Sequence, residues 1–237
     1  MTKIKSDGVS QIVAGREKGD GGPQAQLSAK KRNDIGERFT KRAFDIIGVV
    51  LLGILAAPVI LVIAIIVRSS GLPVIFGHKR VGKRGKSFAC YKFRTMIPNA
   101  ESVLKELLAA DPNLRLEWEE THKLRNDPRI TRFGEFLRKS SLDELPQLWN
   151  VIKGEMSLVG PRPVVADELV KYGRKAQVYC SVKPGITGLW QISGRNNVTY
   201  SRRVSLDALY VRNQRLVLDL WIMFCTVRVV AKRVGAH

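Results

Sequence analysis

The hydrophobic pattern of the chain is dominated by one apolar segment, residues 46–67, in which no side chain is charged or strongly polar. As a straight helix with a rise of about 1.5 Å per residue, it would cover roughly 33 Å, enough for a hydrocarbon core of about 30 Å. Pro58 lies close to its centre, where a proline removes a helix hydrogen bond and kinks or breaks the helix. The pattern leaves two structures open: a kinked spanning helix, and a helix broken at Pro58.

The flanks of this segment favour the broken helix, because both are basic. The nearby cations are Lys30, Lys31, Arg32, Arg38, Lys41 and Arg42 on one side and Arg68, Lys79, Arg80, Lys83, Arg84 and Lys86 on the other. Basic flanks tend to remain in the cytoplasm, and only a helix that enters and leaves by the same face keeps both there. We therefore divide the chain into a disordered basic tail (1–37), a re-entrant membrane helix (38–68) and a cytosolic domain (69–237).

The rest of the chain alternates between short β-like and helical patterns. Residues 71–96 contain two β-like runs separated by glycine-containing basic turns and predict a hairpin. Residues 99–110 have helical spacing, start at an asparagine and end before an Asp-Pro pair. Together these patterns predict an α+β fold.

Two further segments are amphipathic. Residues 130–139 place Ile130, Phe133, Phe136 and Leu137 on one helix face beside basic side chains. Such a helix lies on a membrane surface or packs on a core, and the pattern leaves both open. The C-terminal residues 216–233 are interrupted by charges and predict an interfacial helix, with Trp221 at the depth of the lipid headgroups.

The charge balance narrows the class of partner. The chain has 237 residues, with 40 Lys+Arg against 21 Asp+Glu and a formal net charge of +19. This excess predicts an anionic partner, which is a nucleic acid, an anionic membrane surface or a phosphorylated substrate. The three cysteines are far apart and have no C-x-x-C spacing, so they suggest neither a disulfide framework nor a structural zinc site.

An acidic pair, Asp143 and Glu144, stands out in this basic chain within the stretch SSLDELP. Ser141 and Glu144 have the spacing of a helix capping box, which is a sufficient structural explanation. The same position suits a nucleophile, because a helix N-terminus and nearby arginines would lower the pKa of Asp143 and attract phosphate. Aspartate attacks phosphorus in aspartyl-phosphate chemistry, and a neighbouring glutamate could move a proton or orient Mg²⁺.

Basic and glycine-rich motifs supply candidate phosphate contacts. Arg138 precedes the acidic pair, and Arg162 lies between two prolines in GPRP, either as a rigid phosphate ligand or as a solvated turn residue. Lys92 and Arg94 in YKFRTM share one face of a predicted strand. The loop KPGITGLWQISGRN suits a nucleotide or is an ordinary set of turns.

In this order, the motifs resemble the bacterial sugar transferase family, the small monotopic phosphoglycosyl transferases. The matching stretches are KRAFD before the proline-containing apolar segment, KFRTM, the run from NDPR to GPRP at 126–163, and PGITGLWQISGRN at 184–196. The resemblance covers roughly residues 38–237. One departure is Ala57 before Pro58, where the family commonly has serine.

The resemblance implies transfer of a hexose 1-phosphate from a UDP-sugar to undecaprenyl phosphate, with Mg²⁺ as cofactor. Asp143 would be the nucleophile and a Mg²⁺ ligand, and Glu144 its acid/base or orienting partner. Arg138, Arg162, Lys92 and Arg94 would hold phosphate groups, and Ser193 and Arg195 would contact the nucleotide. The donor is expected to carry galactose, with glucose next.

The resemblance also implies the setting of this reaction. It places a monotopic protein on the cytoplasmic face of the bacterial inner membrane, where it initiates exopolysaccharide, O-antigen or capsule synthesis. Membrane lipids are expected partners, nucleic acid is not, and monomer and homodimer both stay open. The alternative from the residues alone is a non-enzymatic, membrane-tethered basic module that binds nucleic acid or anionic lipid.

Overall fold

The chain forms one long N-terminal helix and a body of short helices and two-stranded sheets. The computed structural model describes residues 23–71, 73–121, 124, 126–194 and 198–231. The elements in chain order are α1 (Pro23–Ser69), β1 (Ile75–Val81), β2 (Ser87–Phe93), α2 (Ala100–Ala110), α3 (Pro112–Thr121), α4 (Arg132–Ser140), α5 (Gln147–Ile152), β3 (Ser157–Val159), α6 (Ala166–Val170), α7 (Ala176–Cys180), β4 (Gly185–Thr187), α8 (Leu189–Ile192), α9 (Tyr200–Arg212) and α10 (Leu216–Ala231). The predicted α+β class is confirmed.

Helix α1 contains the apolar segment and continues through Pro58. Its part Phe39–Ser69 is long and apolar enough to cross a membrane. The helix begins at Pro23, earlier than the predicted start at residue 38, and the first part of the predicted tail, residues 1–22, lies outside the described residues. The chain is therefore helical on both sides of Pro58, and the re-entrant course of this helix stays a prediction.

Helix α1 touches the rest of the protein at two places, one on each side of Pro58. On the N-terminal side, Val49 is buried in the main core with Leu158, and Gly48 allows this close approach because a Cβ there would press on Leu158. On the C-terminal side, Ile63 and Val67 are buried in a second cluster with Phe93 and Leu137. The intervening apolar side chains are mostly exposed, and Leu55 is 77% exposed.

A buried polar network fixes the N-terminal contact. Asp45 accepts hydrogen bonds from the Ser157 hydroxyl (2.9 Å) and the Leu158 amide (3.1 Å). Lys41 lies 3.2 Å from Asp45 and 2.9 Å from Asp219 of α10. Arg42 donates to the carbonyl oxygens of Val151 (2.6 Å) and Ile152 (2.8 Å), the last two residues of α5. The KRAFD motif is therefore the attachment of α1 to the body.

The predicted hairpin is confirmed as an antiparallel pair, β1 and β2, in which Phe76 pairs with Lys92 and His78 with Cys90. Helix α4 packs against the end of β2. Gly134 makes this possible, because a Cβ there would overlap the backbone carbonyl of Thr95. Leu137 of α4 is fully buried, whereas Phe136 is half exposed, so these neighbours do not share one environment.

The parallel pair β3 and β4 forms the centre of the body, with Ser157 opposite Gly185 and Val159 opposite Thr187. Helix α10 covers it through buried Leu218 and Ile222. Trp221 is also half buried against this core, and its place at the depth of the lipid headgroups stays a prediction. The opposite face of α10 exposes Val217, Leu220, Phe224 and Val227.

Candidate active site

The acidic pair lies in a tight turn between α4 and α5. Helix α4 ends at Ser140, and Ser141 adopts a left-handed conformation (φ 59°, ψ 15°) that reverses the chain into the 3-10 turn Leu142–Glu144. The Ser141 side chain makes no capping hydrogen bond, so the capping box predicted as the structural alternative is wrong. A serine in this conformation costs about 1–2 kcal/mol, and here it directs the carboxylates toward β2.

Lys92 joins both carboxylates. Its Nζ atom lies 2.7 Å from Glu144 Oε1 and 3.4 Å from Asp143 Oδ2. Arg162 approaches Glu144 Oε1 from the other side at 3.5 Å. Asp143 is only 7% exposed, whereas Lys92 and Arg162 keep part of their surface in solvent. Two of the predicted phosphate contacts, Lys92 of β2 and Arg162 of the loop after β3, therefore meet around the pair of carboxylates in the turn.

Burial raises the pKa of Asp143, although Lys92 lowers it, and the charge of Glu144 raises it further. The sequence predicts a lowered pKa for Asp143, and this prediction is wrong. That prediction counted the arginines and the helix terminus, whereas the desolvation of a buried carboxylate depends on the tertiary structure. On the other side of the pair, Glu144 raises the pKa of the Arg162 guanidinium.

Arg138 is held beside Asp143 by a residue that sequence reasoning did not select. Its Nε atom donates to the hydroxyl of buried Thr95 at 2.9 Å. Burial lowers the pKa of Arg138, and the charges of Asp143 and Asp127 raise it. The hydrogen bond from Arg138 of α4 to Thr95, which follows β2, therefore orients the guanidinium next to the acidic pair.

The remaining predicted site residues, Arg94, Ser193 and Arg195, are not among those seen in contact with the acidic pair. Arg94 lies just after β2 with its guanidinium 5.7 Å from the ring centroid of Phe76, the strand partner of Lys92. Its Nε atom is buried and has no hydrogen-bond partner. The Ser193 hydroxyl donates to the Leu189 carbonyl at 2.7 Å, at the end of α8. Arg195 lies outside the described residues.

Two further arginines surround Arg162. Burial lowers the pKa of Arg80, and the charge of Arg162 lowers it further; the same two causes act on Arg203. Arg80 lies 3.3 Å from Glu168, and Arg203 lies over the Trp190 ring at 4.7 Å. The hairpin pattern could have identified Arg80. Side chains alternate between the two faces of a strand, so Arg80 lies on the same face of β1 as Phe76, which pairs with Lys92. No local signal indicated Arg203.

The glycines of the KPGITG loop have a packing role. A Cβ on Gly185 or Gly188 would overlap the backbone of Gly160, which belongs to GPRP. The amide of Gly160 donates to the Thr187 carbonyl at 2.9 Å. These glycines bring the GPRP and KPGITG segments together and so position Arg162. The predicted loop contains β4 and α8 rather than turns alone.

The chemistry of the acidic pair fits a divalent cation only in part. No group of three or more His, Cys, Asp or Glu side chains that could hold a metal ion occurs among the described residues. Mg²⁺, however, commonly takes one or two carboxylates and completes its shell with water and substrate phosphates. Asp143 and Glu144 supply that number, and the surrounding cations suit the phosphates.

A largely buried pair of carboxylates among three cations, Lys92, Arg138 and Arg162, is suited to act on a phosphorylated substrate, and comparison with known proteins agrees. The sequence profile described as bacterial sugar transferase matches residues 36–233. The chain belongs to the bacterial sugar transferase family. Every residue of the site described above, from Arg80 to Arg203, lies within the matched part of this sugar transferase chain.

Three relatives with descriptive names extend the comparison. The sugar transferase chain is 55% identical to the undecaprenyl-phosphate galactose phosphotransferase of Salmonella typhimurium, over 84% of this chain and 42% of the relative. It is 50% identical to the exopolysaccharide production protein ExoY of Rhizobium meliloti, over 84% and 88% of the two chains. It is 39% identical to the UDP-glucose:undecaprenyl-phosphate glucose-1-phosphate transferase of Klebsiella pneumoniae, over 88% and 43%. The chain thus spans less than half the length of some relatives.

Proposed function

We propose that this chain transfers a hexose 1-phosphate from a UDP-sugar to undecaprenyl phosphate and so initiates exopolysaccharide or a related surface polysaccharide. The observation that carries the proposal is the buried carboxylate of Asp143, 3.4 Å from Lys92 and beside Arg138. The family and the names of the relatives support the donor and acceptor classes. A basic module that only binds nucleic acid or lipid would not require buried carboxylates at the centre of its cations.

The reaction proceeds in two displacements at the same phosphorus. An oxygen of Asp143 attacks the phosphorus bonded to the sugar, the bond to the bridging oxygen breaks, and UMP leaves with the electron pair. A phosphate oxygen of the acceptor then attacks this phosphorus, and the bond to Asp143 breaks and restores the carboxylate. Lys92, Arg138 and Arg162 neutralise the phosphate charge, which would otherwise repel the anionic nucleophile. Glu144 fixes Lys92 and Arg162 through its hydrogen bonds.

Mg²⁺ is proposed as the cofactor, with Asp143 as its protein ligand and the diphosphate as its substrate ligand. A divalent cation at this place would neutralise negative charge on the leaving group. Galactose is the proposed sugar because the Salmonella relative and the Erwinia amylovora UDP-galactose-lipid carrier transferase carry it in their names. Glucose is the second candidate, supported by the Klebsiella relative.

We further propose a monotopic protein on the cytoplasmic face of the inner membrane, with α1 as a re-entrant anchor. The contacts of α1 on both sides of Pro58 with the same body support it, as do its exposed apolar side chains between them. Each such side chain would cost about 1.5–3 kcal/mol in water relative to an apolar environment.

The central experiment traps the covalent intermediate. Purified protein is incubated with Mg²⁺ and UDP-galactose labelled in the sugar, without acceptor, and adduct and UMP are measured. Unsubstituted protein is expected to gain one labelled phosphosugar per chain and to release UMP, and Asp143→Asn is expected to do neither. Glu135→Gln, at an exposed position of α4, is the matched control and should keep the adduct. An adduct on Asp143→Asn would refute the assignment of the nucleophile.

A further inference from the structure

A second group of cations lies at the end of α5 away from the acidic pair. Gly154 follows α5 with φ +79°. Lys183 Nζ and Arg42 Nη2 lie 3.4 Å and 3.6 Å from the position that a Cβ would occupy on this glycine. Two cationic groups from distant parts of the chain, α1 and the segment before β4, therefore converge over a position without a side chain.

The charges around Lys183 are mostly of its own sign. Burial lowers its pKa, and the charges of Arg42, Lys83 and Lys41 lower it further, whereas Asp45 raises it. The Asp45 carboxylate already accepts from Ser157, Leu158 and Lys41. The cluster therefore has a surplus of positive charge that a bound anion would compensate.

The position of the cluster along α1 indicates which class of anion could reach it. Arg42 precedes Ile46, the first residue of the apolar segment, by about 6 Å along the helix axis. The headgroup layer of one leaflet is roughly 5–8 Å thick. If α1 is embedded as the proposed function requires, the cluster lies at the depth of the lipid phosphates.

We propose that Lys183, with Arg42, forms a binding site for the phosphate of an anionic glycerophospholipid of the surrounding bilayer. This inference rests on the membrane anchoring in the proposed function. The site is separate from the catalytic carboxylates, because Asp143 precedes the N-terminal end of α5 and Gly154 follows its C-terminal end. The carbonyl oxygens at the C-terminal end of α5 would repel a phosphate, but they accept hydrogen bonds from Arg42. A lipid phosphate at this end would therefore face the cations and not the bare carbonyl oxygens.

The test measures binding of soluble short-chain lipids to the full-length protein in detergent. Dihexanoyl-phosphatidylglycerol, dihexanoyl-phosphatidylcholine and inorganic phosphate are titrated by calorimetry, without UDP-sugar. Phosphatidylglycerol is expected to bind, and Lys183→Gln to weaken it about fivefold, as expected for one lysine at a membrane surface. Lys183→Arg keeps the charge and should bind within about twofold of the unsubstituted protein. The matched control Lys105→Gln, on exposed α2, should do the same.

Three results would overturn the proposal. Equal weakening by Lys183→Gln and Lys105→Gln would indicate general charge attraction. Binding of inorganic phosphate as tight as that of phosphatidylglycerol would indicate a site for free anions, and displacement by undecaprenyl phosphate at lower concentration would assign the site to the acceptor. Repeating the titration with Asp143→Asn keeps the result independent of transfer, so a failed adduct experiment and a failed lipid site are distinguishable.

Discussion

At the level of single residues, Asp143 is subject to opposing influences: burial raises its pKa and Lys92 lowers it. The nucleophile must be ionised, so a raised pKa brings the loss of activity at acid pH closer to neutrality. Lys92 therefore has two roles in the proposed reaction, as a phosphate contact and as the cation that keeps Asp143 a carboxylate.

Replacing Lys92 should move the acid limb of the pH profile. In Lys92→Gln the lowering influence is lost, so the pKa of Asp143 rises further and adduct formation should disappear at a higher pH than in the unsubstituted protein. The initial rate of adduct formation as a function of pH measures this. Lys92→Arg retains the charge and should retain the limb; a limb that stays in place or moves to lower pH in Lys92→Gln would contradict the role.

Asp207 predicts a pH dependence of stability. Burial raises its pKa from 3.8 to about 7, against the lowering by the hydrogen bond from Tyr172. The folded protein binds this proton more tightly than the unfolded chain does, because the pKa of Asp207 is higher in the folded state. The contribution of Asp207 to the free energy of unfolding is therefore fully present below pH 3.8 and is lost as pH rises through about 7. This interval corresponds to about 4 kcal/mol at most.

The variant Asp207→Asn removes this titration while keeping an acceptor for Tyr172. Its Tm in detergent should fall less between pH 5 and pH 8 than that of the unsubstituted protein. Asp167→Asn, on the surface of α6, serves as the control and should leave the pH dependence unchanged. Equal slopes for Asp207→Asn and the unsubstituted protein would show that Asp207 does not titrate in this range.

At the level of elements, the contact between α4 and the end of β2 determines where Arg138 lies. Gly134 lets the helix approach the Thr95 carbonyl, and the Thr95 hydroxyl accepts from Arg138. The left-handed Ser141 then turns the chain so that Asp143 faces the same strand. The helix, the turn and the strand are thus one unit around the acidic pair.

Enlarging Gly134 should disturb this unit. In Gly134→Ala the new Cβ meets backbone that cannot rotate away, so α4 must shift, at a cost of about 1–3 kcal/mol. Both Tm and the rate of adduct formation should decrease. Gly53→Ala is the control, because nothing lies within 4 Å of a Cβ there and alanine is the better helix former. An unchanged Tm in Gly134→Ala would mean that the contact is looser than described.

At the level of the whole molecule, α1 is coupled to the catalytic body through charged groups as well as apolar ones. Lys41 contacts carboxylates from α1 and from α10, and Arg42 closes the end of α5, whose other end follows the acidic pair. In the proposed function, an anchor attached in this way would hold the site at a set height over the membrane, where a lipid-linked phosphate could reach it.

Labelling of single cysteines tests the proposed topology. With Cys90, Cys180 and Cys225 replaced by alanine, cysteines are introduced at exposed Glu37, Leu55 and Ser70. A membrane-impermeant maleimide should label neither flank, position 37 or 70, in intact spheroplasts and both after permeabilisation, with position 55 protected throughout. A spanning helix would instead expose one flank in intact spheroplasts.

Much of the site could be predicted from the chain, and the failures have one cause. The sequence singled out Asp143, Glu144, Lys92 and Arg162, because an acidic pair in a basic chain and cations in rigid or strand positions are local features. The capping box and the direction of the pKa shift of Asp143 were wrong. Both depended on backbone conformation and burial, which no local pattern contains.

The sequence by itself determined the apolar segment, its basic flanks, the hairpin and the residues of the acidic pair, because each depends on neighbours along the chain. Only the tertiary structure decided that Arg80 and Arg203 gather around Arg162, that Thr95 orients Arg138, and that Lys183 meets Arg42 over Gly154. Charge interactions act through space and desolvation depends on enclosure, so both are known only once distant segments have packed together.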